Sequence, residues 1–342
     1  MLDVVRWYSW HFTVRGVQNQ QYKVALHTPD VTVRLYHADF AQSVTLPIGP
    51  QEGNKWWFAP SRISTNMLII YVSGAGLDVP RYYTFLSDVL DHSTRYVMAV
   101  LLRLFEILPQ ASVARHVWWS DVGVHFRSAR FFYFWLVHMA KEWKTPTELN
   151  YFAEGHGKGI IDGHAGRNRR WLEQAARTKT ISSCEDMAAC LQERADQQAK
   201  RSPGRAICHY VTFNPPAISE LPQDTFDASV LRKAGLGVRS TYALSSEVDI
   251  AGQVKVASHS LTGMSATCEA VPPAADRKGK TAKPASTCLR SSAADACEGD
   301  VEEDEAHVEL GKPGTDGWRR TYRTQEPEKG WALNCHLLNC HF

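Results

Sequence analysis

The chain has 342 residues, of which 44% are hydrophobic and 22% charged. That is enough for one or two domains with a sizeable core, and it sets the chain apart from fibrous and wholly disordered classes. The formal net charge of +2 averages unlike regions: residues 125–179 are rich in arginine and lysine, whereas "GDVEEDE" at 299–305 is acidic. No apolar run reaches the length of a membrane span, so no membrane partner is expected. The opening "MLDVVRWYSW" carries Asp3 and Arg6 where a secretory core would be uncharged. Eight cysteines follow no small-scaffold rhythm, which predicts free thiols in a reducing compartment.

In chain order, residues 1–30 form a lead-in. "VTVRLYHADF" (31–40) alternates and is β-branched, predicting a strand that ends near Asp39. "SVTLPI" is its expected hairpin partner, limited by Pro47. "NMLIIYVSGAG" predicts a third, buried strand closed by glycines. "DHSTRYVMAVLLRLFEIL" has helical periodicity, with Asp91 or Ser93 as the cap and Pro109 beyond its end. "ARHVWWSD" predicts a short buried strand. "FRSARFFYFWLVHMAKEW" predicts a long helix stopped by Pro146, and its aromatics crowd every face, as core residues do. "TELNYFAE" is a further strand and "IDGHAGRNRRWLEQAARTK" a basic helix.

The expected fold class is therefore α/β: a mixed sheet with three opening strands, then alternating helix and strand, flanked by helices. This is also the order of the RNase H-like fold. Residues 31–180 form the expected core. Residues 181–269 read as a small α/β extension, with a helix at "SCEDMAACLQERADQQAK" and a strand at "AICHYVTFNPP". Residues 270–316, poor in large apolar side chains, predict a disordered linker, followed by a tail at 317–342.

Asp39 and Asp121 close predicted strands, Glu154 closes the next, and Asp162 opens the helix after it. In an RNase H-like sheet the first and fourth strands are neighbours, which would set Asp39 beside Asp121. Carboxylates drawn together repel and shift their pKa values. Mg²⁺ or Mn²⁺ resolves that conflict, since hard cations take oxygen ligands. A two-metal site of this kind activates a water or a 3′-hydroxyl and stabilises the leaving oxygen of a phosphodiester. Taken singly, each acid reads first as a turn or cap residue; the catalytic reading rests on all three together, on matching elements in matching order.

"EGHGKGIIDGHAG" adds glycines that let backbone approach a ligand, Lys158 as a cation, His156 to orient a phosphate, and helix amides suited to phosphate oxygens. It lacks the spacing and the hydroxyl residue of a Walker loop, so an ATPase reading has little support. Arg127 and Arg130, just after Asp121, and Arg167, Arg169, Arg170 and Arg177, after Asp162, are candidate phosphate contacts; a solvated helix face is the plain alternative. Cys335, His336, Cys340 and His341 are potential zinc ligands with a spacing unlike the usual fingers.

"DF" at 39–40, "WSDVGVHFRS" and "FAEGHGKGIIDGHAG" resemble the catalytic core of eukaryotic DDE/D cut-and-paste DNA transposases, over residues 31–178. The resemblance implies Asp39 and Asp121 as the first two metal ligands and Asp162 as the third, with Glu154 in reserve. It further implies DNA as partner, a nuclear location, no small organic cofactor, and compatibility with a homo-oligomer. Metal-dependent phosphodiester hydrolysis and strand transfer is then the expected reaction. A catalytically silent, domesticated DNA-binding or interaction protein is the main alternative, and another RNase H-like nuclease the second. Two features depart from the family: no zinc-finger-like DNA-binding pattern precedes the core, and the tail is irregular.

Overall fold

The computed structural model describes residues 2–27, 30–50, 62–109, 111–155, 159–215, 241–250, 252–259 and 261–262. Two compact units divide the chain, Met1–Leu289 and Arg290–Phe342; every element below belongs to the first. The expected linker, the tail and its Cys335/His336/Cys340/His341 group lie outside the described residues.

Eight strands make one mixed sheet: β1 (Val33–Leu46), β2 (Ile63–Gly74), β3 (Arg81–Ser87), β4 (Arg115–Ser120), β5 (Thr147–Tyr151), β6 (Ile207–Thr212), β7 (Ala243–Val248) and β8 (Val254–His259). Their order is β6-β3-β2-β1-β4-β5-β7-β8. β1, β2 and β3 run antiparallel as neighbours, and β4 and β5 continue parallel to β1. β6 adds parallel to β3, while β7 and β8 add antiparallel beyond β5. Strands from the expected extension thus complete both edges of the same sheet.

Two details differ from the sequence reading. "SVTL" is no hairpin partner: it continues β1 after a bulge between Ala41 and Val44. The Thr65 hydroxyl donates to the Val44 carbonyl at 3.0 Å, satisfying an acceptor that the bulge takes out of the ladder. The third opening strand is instead β3, "RYYTFLS", whose aromatic and β-branched content suits a pleated surface. Gly74 closes β2 at φ +89°, where a Cβ would fall 2.0 Å from the Val33 carbonyl oxygen.

Helices cover both faces. One face, carrying Tyr36, Trp118 and Phe85, packs against α2 (Thr94–Ile107) and the composite helix α3. Ser93 caps α2, accepting from the Tyr96 amide at 3.2 Å. α3 begins as Ala129–Tyr133, widens to a π-helical stretch at Phe134–Met139 and ends as Ala140–Trp143. Within the wide stretch, the Thr147 hydroxyl donates to the Trp135 carbonyl at 2.9 Å. The opposite face, carrying Leu35, Ile69 and Trp119, packs against α4 (Ile160–Ala175) and α5 (Cys184–Arg201). Trp118 and Trp119 point to opposite faces because strand side chains alternate, so one short strand anchors both cores. Cys184, Cys190 and Cys208 are buried and free.

The lead-in is a 26-residue helix, α1 (Leu2–His27). Val14, Gln18 and Tyr22, at four-residue spacing, form its buried face. The Gln18 amide donates to the Tyr151 and Tyr242 carbonyls at 2.8 and 3.2 Å, and its oxygen accepts from the Thr262 amide at 2.8 Å. The apolar residues of α1 do not gather into one stripe, since Val4, Tyr8 and Phe12 are exposed. Periodicity therefore gave no helix signal there. Among the described residues, no helix is long and apolar enough to cross a membrane.

Candidate active site

Asp39 lies within β1 rather than at its end, because β1 runs on to Leu46. Asp121 follows the last residue of β4. The parallel register of β1 and β4 ends on Ala38 opposite Ser120, so its next step sets Asp39 against Asp121. Neighbouring strands lie about 4.8 Å apart, which makes these two acids side-by-side neighbours. Asp39 alternates onto the face shared by Leu35 and His37, and α4 packs over β1 and β2 on that face.

α4 carries Asp162 in its first turn, where the carboxylate accepts from the Gly159 amide at 2.8 Å. Gly159 has no side chain to return the bond, so half of a capping box is present. Burial, then Asp121, then Asp162 push the Asp39 carboxyl up to about 7; an amide bond from Phe40 opposes them. The three predicted acids therefore share one electrostatic neighbourhood. Glu154 is exposed, and its charge is felt at Tyr242 instead. Among the described residues, no group of three or more His, Cys, Asp and Glu side chains is gathered closely enough to hold an ion.

The Asp121 carboxylate accepts from the Gly123 amide at 3.0 Å, closing the turn after β4. A Cβ on Gly123 would meet the His125 ring at 2.6 Å and the Asp121 carboxylate at 3.1 Å, so only glycine lets that ring fold back here. His125 is a residue that the sequence reading passed over. Its ring packs edge-on against Phe40 at 4.8 Å, and the His92 ring also lies against Phe40, at 4.4 Å. Burial lowers the His125 pKa, while the Asp121 charge opposes the shift. The signal was its place in "SDVGVHF", four residues after Asp121.

The basic candidates separate. Arg127 is 8% exposed; it donates to the Thr241 carbonyl at 2.9 Å and lies over the Tyr242 and Tyr151 rings. Arg167 is partly buried, bonded to His164 and stacked near Tyr82 and Trp171. Both guanidiniums are committed to the fold, which leaves them little surface for a phosphate. Arg130 is partly buried, while Arg170 and Arg177 are exposed. Arg169 is exposed and pairs with Glu173 at 3.1 Å. His156 and Lys158 lie outside the described residues.

No curated protein matches the chain. Among solved structures, a similarity is found to the crystal structure of NurA bound to dAMP and manganese, at 7% identity and a TM-score of 0.12. It covers 55% of this chain and 44% of that one, so the chain spans less than half of that protein; a likeness at this level establishes no shared fold. A family model described as "Domain of unknown function (DUF8701)" matches residues 18–203, from within α1 to just past α5. That match spans more than half of the chain, and the protein belongs to the DUF8701 family.

Proposed function

We propose that this protein is an RNase H-like, DDE/D transposase-type enzyme that cuts and joins DNA phosphodiesters with a divalent metal. The observation that carries the reading is the register that sets Asp39 against Asp121 with α4 packed over the same face, where burial, then the charges of Asp121 and Asp162, push up the Asp39 carboxyl. Carboxylates that share a neighbourhood repel one another, and a bound cation relieves that cost. The order β3-β2-β1-β4-β5, with the first two pairings antiparallel and the last two parallel, supports the RNase H-like part.

The donor set fits Mg²⁺ or Mn²⁺: three aspartates offer hard oxygen ligands and no thiolate or imidazole is required. Asp39, Asp121 and Asp162 would hold the metal, which supplies Lewis-acid activation of the attacking oxygen and of the phosphate. The chain's own residues do the rest. β1 and β4 position Asp39 and Asp121 rigidly. The turn closed on the Gly123 amide orients Asp121, and α4 delivers Asp162. The exposed Arg170 and Arg177 offer charge to the DNA backbone. A nuclear location belongs to the same proposal.

The test is purified protein on linear and nicked DNA with Mg²⁺ or Mn²⁺, against Asp121→Asn. The variant is expected to fold and bind DNA as before and to lose metal-dependent cleavage, a loss of several kcal/mol of transition-state stabilisation by order of magnitude. Unfolding of Asp121→Asn would make Asp121 a structural turn residue. Equal inertness of both proteins with each metal favours the catalytically silent DNA-binding reading. That reading draws on the described carboxylates not being closed around an ion position.

A further inference from the structure

A cavity of about 320 Å³ opens at the other end of the central strands. Arg34 and Tyr36, near the start of β1, line it together with His116, near the start of β4. Phe105 of α2 and Trp143 of α3 form its apolar walls, and Ser112 stands at its exposed rim. His116 and Asp121 are five residues apart on an extended segment, so the cavity lies roughly 16 Å from the acids.

Arg34 is 5% exposed. Its Nε and Nη2 donate to the Ala75 carbonyl at 3.0 and 2.8 Å, and Nη2 donates to the Pro109 carbonyl at 3.2 Å. Among the described residues, no ion pair involves Arg34. A guanidinium stays charged at every accessible pH, and neutral carbonyls balance its dipoles but not its charge.

The Tyr36 hydroxyl lies near Arg34 and meets His116 Nδ1 at 3.0 Å. Tyr36 is buried and holds its proton, and burial likewise keeps His116 neutral. The His116 ring stacks face to face on Trp143 with centroids 3.8 Å apart. The wall thus combines a cation with no ion-pair partner, a neutral imidazole and aromatic side chains.

We propose that this cavity binds a small organic monoanion, its carboxylate on Arg34 and its apolar body against Phe105 and Trp143. The ligand completes the charge of a buried guanidinium in a site separate from the acid cluster. The inference stands whether or not the protein cuts DNA.

The full-length protein is titrated with para-fluorobenzoate and, separately, with neutral para-fluorobenzamide, each followed by fluorine NMR line broadening. Benzoate is expected to saturate and the amide to bind at least about tenfold more weakly, since only the acid brings a negative charge to the Arg34 guanidinium. Ser112→Trp, which fills the rim without touching Arg34, is expected to weaken benzoate by about tenfold or more while leaving the circular dichroism unchanged. Arg34→Lys keeps the charge but not the planar guanidinium that the Ala75 and Pro109 carbonyls hold in place, and should fall between the two. Equal binding of acid and amide overturns the proposal. So does binding untouched by Ser112→Trp, or no saturation up to the solubility limit; Arg34 is then only a staple between two loops. Displacement of benzoate by an equal concentration of inorganic phosphate also overturns it, because phosphate makes no use of the aromatic walls.

Discussion

Arg127 and Arg170 carry the same charge in different surroundings. The Arg127 guanidinium lies 5.8 Å from the centre of the Tyr151 ring and 4.8 Å from that of Tyr242, and bonds the Thr241 carbonyl. It ties the start of β7 to the sheet. Arg170 stands exposed on α4. Arg127→Ala is therefore expected to cost about 2 kcal/mol of stability, from lost cation–π contact and packing. If the protein binds DNA as proposed, Arg127→Ala should leave the salt dependence of that binding unaltered. Arg170→Ala should leave the urea midpoint where it is and, on the same proposal, weaken DNA binding across sequences and reduce the slope of log affinity against log salt by about 1. An unchanged slope in Arg170→Ala would remove that residue from the DNA contact.

At the scale of elements, α4 brings two demands onto one side chain. Asp162 caps its own helix through the Gly159 amide and also adds charge beside Asp39. Asp162→Ala is expected to cost about 1 kcal/mol, the usual worth of a cap. Asp162→Asn keeps an acceptor oxygen and should lose only a few tenths of that. If Asp162 holds metal, both variants lose cleavage to a similar extent despite their different stabilities. Wild-type cleavage by Asp162→Asn would reduce Asp162 to a cap and turn attention to Glu154. Comparison of urea denaturation with cleavage rate for the two variants separates these roles.

At the scale of the molecule, both faces of the sheet bury neutral histidines. Burial holds His37, His116 and His164 down to about 3. In the unfolded chain each takes its proton near pH 6.5; in the folded chain none does so until about pH 3. The unfolded state thus binds more protons across that window, and stability falls as pH falls through it. Each group contributes about 1.4 kcal/mol per pH unit. Asp39 acts in the opposite sense: its carboxyl, at about 7, takes up a proton in the folded state first, so it favours folding as pH drops from 7 towards 4. Three histidines against one aspartate leave a net loss of about 3 kcal/mol per pH unit below pH 6. Urea denaturation at pH 7, 6 and 5 measures it, and a flat profile would mean that these histidines are solvated.

The α/β class, α2 with its Ser93 cap, β4, β5 and the helices α4 and α5 were legible in the sequence. Each rests on local signals: periodicity, a capping hydroxyl, a proline or a short apolar run. Asp121 and Asp162 were legible at their element boundaries as well, whereas Asp39, read as a strand end, lies inside β1. What failed was whatever depends on partners distant in sequence. "SVTL" has strand chemistry in either role, and only pairing with β2 makes it the continuation of β1 past a bulge. α1 lacks an apolar stripe and is held through Gln18 to the Tyr151 and Tyr242 carbonyls, contacts spanning more than a hundred residues. Arg127 and Arg167 read as surface cations because charge alone does not reveal that aromatic rings from β3, β5 and the start of β7 surround them. The sequence by itself determined the α/β class, the central helices and short buried strands, and Asp121 and Asp162 as acids at element boundaries. Tertiary structure decided strand order, which side chains share a face and which charges reach solvent, because these depend on packing free energy summed over the whole sheet and not on any local stretch.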